Sequence, residues 1–234
     1  MHHFFGKDLI IDKNLNKIDN FKQKIRDLGF NFILNPVFVN QIHSSKVLVI
    51  DSVGTDYSSS PLIKADSIVT NLKKLPICVV TADCVPIIFF DKKSGVIAVC
   101  HAGWRGAFSD IIDSTISQMQ NLGSKNSDIS AIIGPAIRQN SYEVSEDFYL
   151  NFVKKNQNNK IFFIKKTSEQ TSNIKYLFDL PAFCYKKLKN NKIKNISDLE
   201  IDTYNNKKNF FSYRRSFHED KQDCGRNVSV VMQS

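Results

Sequence analysis

Apolar positions along this chain change their period from one stretch to the next. The first third reads as strands and loops. Val37-Phe38-Val39 leads to Gln41-Ile42-His43, residues 46–50 read as a short strand, and 65–70 as another. A polar, serine-rich loop spans 53–61. Two dense apolar runs follow, 77–80 and 85–90, separated by Thr81-Ala82-Asp83-Cys84. Lys92-Lys93-Ser94-Gly95 is a turn signal, and 96–100 is a third run, so β-branched residues flank a short Gly-containing turn. That pattern predicts a hairpin. Beyond Gly106 the spacing becomes helical. Ala107, Ile111, Ile112, Ile116, Met119 and Leu122 share a face and predict one helix over 107–122, closed by Gly123. Residues 129–133 form a strand ended by Gly134-Pro135. Ser145 followed by Glu146-Asp147 caps a helix running to about Lys155, and Asp179 caps another with Pro181 in its first turn. Residues 210–213 and 228–232 read as late strands. The mixture is α/β without a regular βαβ rhythm. It shows no internal repeat and no Pro- or Gly-rich linker, so one domain over 1–234 is expected.

Composition narrows the function classes. The chain has 234 residues, 42% of them hydrophobic, enough for a sizeable core. No run of ~18 apolar residues occurs, so no membrane span is expected. Met1-His2-His3-Phe4-Phe5 gives way at once to polar residues, unlike a signal peptide. The five cysteines (Cys78, Cys84, Cys100, Cys184 and Cys224) are odd in number and show no CxxC spacing. This argues against a disulfide scaffold or zinc ribbon and for a reducing cytoplasm. The formal charge of +9 is concentrated in one place: residues 151–194 hold 11 lysines against Glu169 and Asp179. The remainder balances, with 21 basic and 21 acidic residues. In the 179–189 helix, Leu180, Phe183, Cys184 and Leu188 share a face opposite Lys186 and Lys189, a core stripe with a solvated rim. Nucleic-acid binding is therefore not expected.

The chemistry concentrates around the hairpin. With Lys93-Ser94 at its tip, residue 86 faces 101 and Cys84 lies opposite Gly103, which makes His101 the diagonal neighbour of Cys84 on the same face. Diagonal neighbours are roughly 7–8 Å apart at Cα. A zinc ion between them, with bonds of about 2.3 Å to sulfur and 2.0–2.1 Å to nitrogen, fits ordinary side-chain reach. Cys100 falls on the opposite face, as core packing, and Asp83 points away from Cys84 if the strand is regular there. After His101, the segment Ala102-Gly103-Trp104-Arg105-Gly106 leads into the predicted helix. Glycines allow close backbone approach, a helix start attracts anions, and Arg105 offers a forked donor for phosphate or carboxylate. His2, His3 and His218 are expected at the surface or terminus.

At these residues the chain resembles a known family. Gln41-Ile42-His43, Ala65-Asp66, Thr81-Ala82-Asp83-Cys84, His101-Ala102-Gly103-Trp104-Arg105-Gly106, Ile133-Gly134-Pro135, Tyr142-Glu143-Val144 and Phe211-Ser212-Tyr213-Arg214-Arg215 occur in that order. Together they resemble the YfiH-type family, also called laccase-domain or multicopper polyphenol oxidoreductase proteins. The likeness runs from about residue 33 to the C-terminus. It implies a four-layer α/β/β/α sandwich with mixed sheets, akin to CNF-type toxin domains. It implies a zinc-dependent purine nucleoside phosphorylase with adenosine deaminase activity, acting on adenosine, inosine or methylthioadenosine. Peptidoglycan editing is described for some bacterial members. The resemblance places the metal ligands on His43, Cys84 and His101. Asp83 beside Cys84 is either a turn residue or a proton-transfer or supporting carboxylate. Gln41, Trp104, Arg105, Tyr213 and Arg214 are the candidate substrate contacts, with Arg215 and Arg226 as further basic candidates near an anionic substrate. One departure is visible. Many relatives carry a Cys-Thr pair near the position of Asp202-Thr203-Tyr204, and here that Cys is absent.

Other functions compete. Cys84 as nucleophile and His101 as base would make a cysteine hydrolase or amidase suited to editing cell-wall precursors. Blue-copper oxidation is rejected on ligand count. Five histidines, two at the terminus, do not supply a multicopper set, although copper at the zinc position would account for weak oxidase activity. The expected partners are small molecules, a purine nucleoside and phosphate, and the chain is expected to act as a monomer or homodimer.

Overall fold

The computed structural model describes residues 1–9, 18–53, 62–166, 174–221 and 225–234. In chain order the first elements are β1 (His2–Phe5), α1 (Ile18–Asp27), β2 (Val47–Ile50), β3 (Ser67–Thr70), β4 (Ile77–Thr81), β5 (Val85–Phe90) and β6 (Ile97–Ala102). Then follow α2 (Trp104–Phe108), α3 (Ile111–Asn121), β7 (Ser130–Ile133), β8 (Glu143–Ser145) and α4 (Glu146–Lys155). The last are β9 (Phe163–Lys166), β10 (Lys175–Phe178), α5 (Leu180–Asn190), β11 (Asn195–Asp198), α6 (Tyr213–His218) and β12 (Asn227–Val231). A six-stranded mixed sheet runs β11-β7-β5-β6-β3-β2, and two three-stranded antiparallel sheets run β1-β12-β4 and β8-β10-β9.

Strand alternation sorts the side chains into layers. In β5, Val85, Ile87 and Phe89 face one core while Ile88 faces another; in β6, Ala98, Cys100 and Ala102 oppose Ile97 and Val99. The first set packs against Ile111, Ile112, Ile116 and Met119 of α3 and against Leu180, Phe183, Cys184 and Leu188 of α5. The second set meets Ile77 and Val79 of β4 and Val231 of β12, which joins the six-stranded sheet face to face with β1-β12-β4 to make the two large layers. The far side of the smaller sheet, through Cys78, Val228 and Val230, is covered by Phe21 and Ile25 of α1. The order is α/β/β/α, as the resemblance implies.

Several elements depart from expectation. The N-terminal residues form β1, paired with β12 from His2↔Val231 to Phe5↔Val228, and the first third also holds the helix α1. Residues 37–39 make only a bridge, Val37↔Ile77. The expected helix 107–122 is two helices. It starts earlier, at Trp104, and breaks at Asp110, whose φ of 68° is left-handed. The Asp110 carboxylate receives Lys155 and Lys187 there. Residues 210–213 are not a strand. Ser212 caps α6, its hydroxyl accepting from Arg215 N at 3.1 Å, and the Asn227 side chain binds both Phe211 N and Phe211 O at 2.9 Å. The small sheet β8-β10-β9 was not expected from the pattern. Most of the loop over 53–61, and Cys224, lie outside the described residues. No helix among the described residues is long and apolar enough to cross a membrane.

Candidate metal centre

The hairpin has the predicted register, Pro86↔His101 and Val85↔Ala102. His101 shares its parity with Ile97 and Val99, so it belongs to the face between the two large sheets, at the end where β6 runs out. Cys84 sits just before β5, and a turn through residues 41–44 delivers His43 with a left-handed φ of 58°. The donor atoms of His43, Cys84 and His101 all lie within 4.8 Å of one another, with Cys84 Sγ and His43 Nε2 3.9 Å apart. Tetrahedral zinc ligands stand ~3.3–3.6 Å apart, given bonds of 2.0–2.3 Å. Small side-chain rotations close the difference, and one sulfur with two imidazoles is a zinc-type donor set. The residues fit the metal. Among the described residues no second cluster of three such groups occurs.

Gly103 keeps this space open. Its φ and ψ of −68° and 163° suit any residue, but a Cβ there would stand 2.8 Å from His43 Cδ2 and 2.9 Å from Cys84 Sγ. The glycine is required by its neighbours, not by its backbone.

Asp66, fully buried, lies directly across the β3–β6 ladder from His101, one step beyond the pair Ser67↔Cys100. Its Oδ1 accepts from His101 Nδ1 and from His43 N, both at 2.9 Å. Its Oδ2 accepts from Ser44 N at 2.6 Å, Ser44 Oγ at 2.8 Å and Ile42 N at 3.4 Å. Burial works against the charge of Asp66, yet hydrogen bonds from His101 and Ser44 hold its carboxyl below the usual range. For Cys84 and His101, burial likewise opposes both charged forms. Their mutual attraction outweighs it, bringing the thiol down to about 6 and the imidazole up to about 9. Cys100, buried in the α3 core, has its thiol pushed up to about 12 by burial. Asp66 belongs to the Ala65-Asp66 pair, whose presence in the sequence assigns it no role. The available signal was a carboxylate opening an otherwise apolar strand, a group that must be paired when buried.

The other expected site residues fall in different settings. Asp83 has a φ of 89°, so the strand is not regular there. Its carboxylate accepts from Thr203 Oγ1 at 2.7 Å, Ser212 Oγ at 3.0 Å and Arg214 N at 2.7 Å, tying the C-terminal segment to the Cys84 turn. Gln41 spends both ends of its amide on Val80, donating to O at 2.7 Å and accepting from N at 2.8 Å. The Trp104 ring packs edge-on to Phe148, with centroids 4.9 Å apart, and the exposed Arg105 guanidinium lies over the Trp104 ring, 4.6 Å from its centre. Arg105 meets no carboxylate among the described residues. Tyr213, at the start of α6, is exposed. Arg214 donates to Glu143 O at 2.9 Å and lies 5.3 Å from the centre of the Tyr142 ring. Burial, then the Cys84 charge, push the Tyr142 phenol up. Arg215 clamps the carbonyls of Thr203, Tyr204 and Phe210, and Arg226 donates to Gly225 O. His2 and His3 lie in β1, and His218 pairs with Tyr204 on α6. Asp202 accepts from Ser141 Oγ at 2.6 Å and Tyr204 N at 3.0 Å.

The family described as multi-copper polyphenol oxidoreductase laccase matches residues 10–234. A purine nucleoside phosphorylase of Rickettsia prowazekii is 39% identical over 182 residues, covering 78% of this chain and 71% of that protein. An adenosine deaminase from an unknown prokaryotic organism is 38% identical over 122 residues, 50% of this chain and 47% of that protein. Among solved structures, a hypothetical protein YfiH from Bacillus licheniformis superposes with a TM-score of 0.78 at 25% identity, covering 95% of this chain and 82% of that one.

Proposed function

The chain belongs to the multi-copper polyphenol oxidoreductase laccase family, and on that premise we propose that it is a zinc-dependent purine nucleoside phosphorylase with adenosine deaminase activity. The observation that carries this reading is the His43–Cys84–His101 cluster, three protein ligands on three separate segments. Three ligands leave a fourth position for water or substrate, the pattern of a catalytic zinc site. When bound, the metal supplies Lewis-acid polarisation of an oxygen. The chain's own residues do the rest. Asp66 orients His101, Gly103 leaves room beside the ligands, and Arg105 offers an exposed fork to an anion such as phosphate. The two activities come from the names of the relatives. The test is metal analysis of the purified protein, expected at about one zinc per chain, with product identification on adenosine. Ribose 1-phosphate forms only when phosphate is present, and inosine forms without it. Undiminished turnover in Cys84→Ala and His101→Ala would sink the reading.

A second reading has its own observation. Cys84, His101 and Asp66 form a row in which the carboxylate orients the imidazole beside a thiol, the arrangement of a cysteine nucleophile with its base. An amidase of this kind on cell-wall precursors needs no metal. Activity that survives chelation but is abolished by alkylating Cys84 selects it over the first.

A further inference from the structure

Two histidines of the cluster come from distant parts of the chain, yet one carboxylate touches both. We propose that Asp66 is the positioning residue of the centre: it sets the ring tautomer of His101 and, through the backbone of 42–44, the place of His43. The inference rests on reading the cluster as a metal site. Five donors converge on the two oxygens: three backbone N–H groups, the Ser44 hydroxyl and His101 Nδ1. In the neutral ring, the form that ligates a metal, the carboxylate oxygen draws the proton of His101 to Nδ1 and leaves Nε2 with its lone pair. Hydrogen bonding by the outer nitrogen is the general means of fixing a ligating imidazole. The same Oδ1 holds His43 N and so helps to hold the left-handed turn that aims the His43 ring at Cys84.

The donor pattern makes the test selective. In Asp66→Asn the carbonyl and NH2 ends are no longer equivalent. With the NH2 in the Oδ2 position, it faces two N–H groups and a hydroxyl. With the NH2 in the Oδ1 position, it donates to His101 Nδ1, and the ring proton moves to Nε2, the nitrogen needed for the metal. Nitrogen-15 histidine NMR of the metal-free wild type, recorded above about pH 9 where the His101 ring is neutral, is expected to show the ring protonated at Nδ1. In Asp66→Asn the proton is expected at Nε2, with zinc affinity by chelator competition lower by about 100-fold, the upper end for residues supporting a ligand. Ser44→Ala removes one donor but leaves the His101 bond, and is expected to lose only a few-fold. The proposal fails if Asp66→Asn binds zinc like wild type, or if Ser44→Ala loses as much as Asp66→Asn. It also fails if the neutral ring of wild-type His101 carries its proton on Nε2, a measurement that does not depend on a variant folding. None of these readouts uses a nucleoside. A protein with the expected tautomer and affinities but no phosphorolysis keeps Asp66 in this role and removes the nucleoside reading alone.

Discussion

At the scale of single residues, Gly103 and Cys84 give the sharpest expectations. Gly103→Ala adds a methyl group at 2.8–2.9 Å from two ligands while leaving an ordinary backbone conformation. Zinc affinity should fall by roughly 10–100-fold, whereas circular dichroism of the metal-free protein stays that of wild type. Unchanged affinity in a chelator titration contradicts the geometry. In metal-free protein, Cys84 is a protonated, unreactive thiol below about pH 6 and a thiolate above it. Its alkylation rate therefore rises through about pH 6, below the usual thiol range of about 8.5. A rise confined to pH 8–9, followed by mass spectrometry, refutes this. Half of this site was legible in the sequence. Cys84 and His101 meet through a hairpin register fixed by local turn chemistry. His43 depended on family resemblance, and Asp66 went unassigned, because both reach the centre through a turn laid across the β3–β6 ladder. Such long-range placement leaves no period in the chain.

At the scale of elements, Asp83 is the joint between the Cys84 turn and the segment leading into α6. Asp83→Ala leaves two hydroxyls and one N–H without their acceptor, at about 1–3 kcal/mol for each group that stays buried. A total loss of about 2–4 kcal/mol in urea unfolding is expected, with faster hydrogen exchange over 203–216. Wild-type protection there means that Asp83 is no joint. The same contact explains why residues 210–213 deceive. Their aromatic content favours a strand, but an Asn227 side chain takes the Phe211 backbone, and Ser212 turns the chain into a helix. Helices α4 and α5 were legible because their caps are local: Ser145 accepts from Phe148 N and Asp179 from Ala182 N. The break at Asp110 was not, since Lys155 and Lys187, which hold it, come from other elements. In α1, Phe21 and Ile25 carried a helical i, i+4 signal that the surrounding polar residues obscured.

At the scale of the molecule, stability resides in the layered core and charge on its outside. Ile88 lies between the two large sheets, fully buried, so Ile88→Ala should cost 2–5 kcal/mol by denaturant midpoint, an order of magnitude set by cavity formation (~24 cal/mol per Å³). A loss under about 1 kcal/mol contradicts the assigned layer order. The lysine-rich segment is different. Lys155, Lys166 and Lys187 pair with carboxylates, while Lys186 and Lys189 are exposed on α5. Lys186→Gln with Lys189→Gln should stay within about 0.5 kcal/mol of wild type in stability and leave nucleoside turnover unchanged. Altered turnover would tie this rim to the site.

The three ligands stand on the 41–44 turn, before β5 and at the end of β6, so the centre exists only when the chain is folded. A metal bound there favours the native state by mass action, about 4 kcal/mol when its free concentration is 1,000 times the dissociation constant. A melting temperature measured on this protein is therefore also a metal assay. Two preparations of identical sequence that differ only in chelator history should melt apart, and adding zinc to the lower should bring them together.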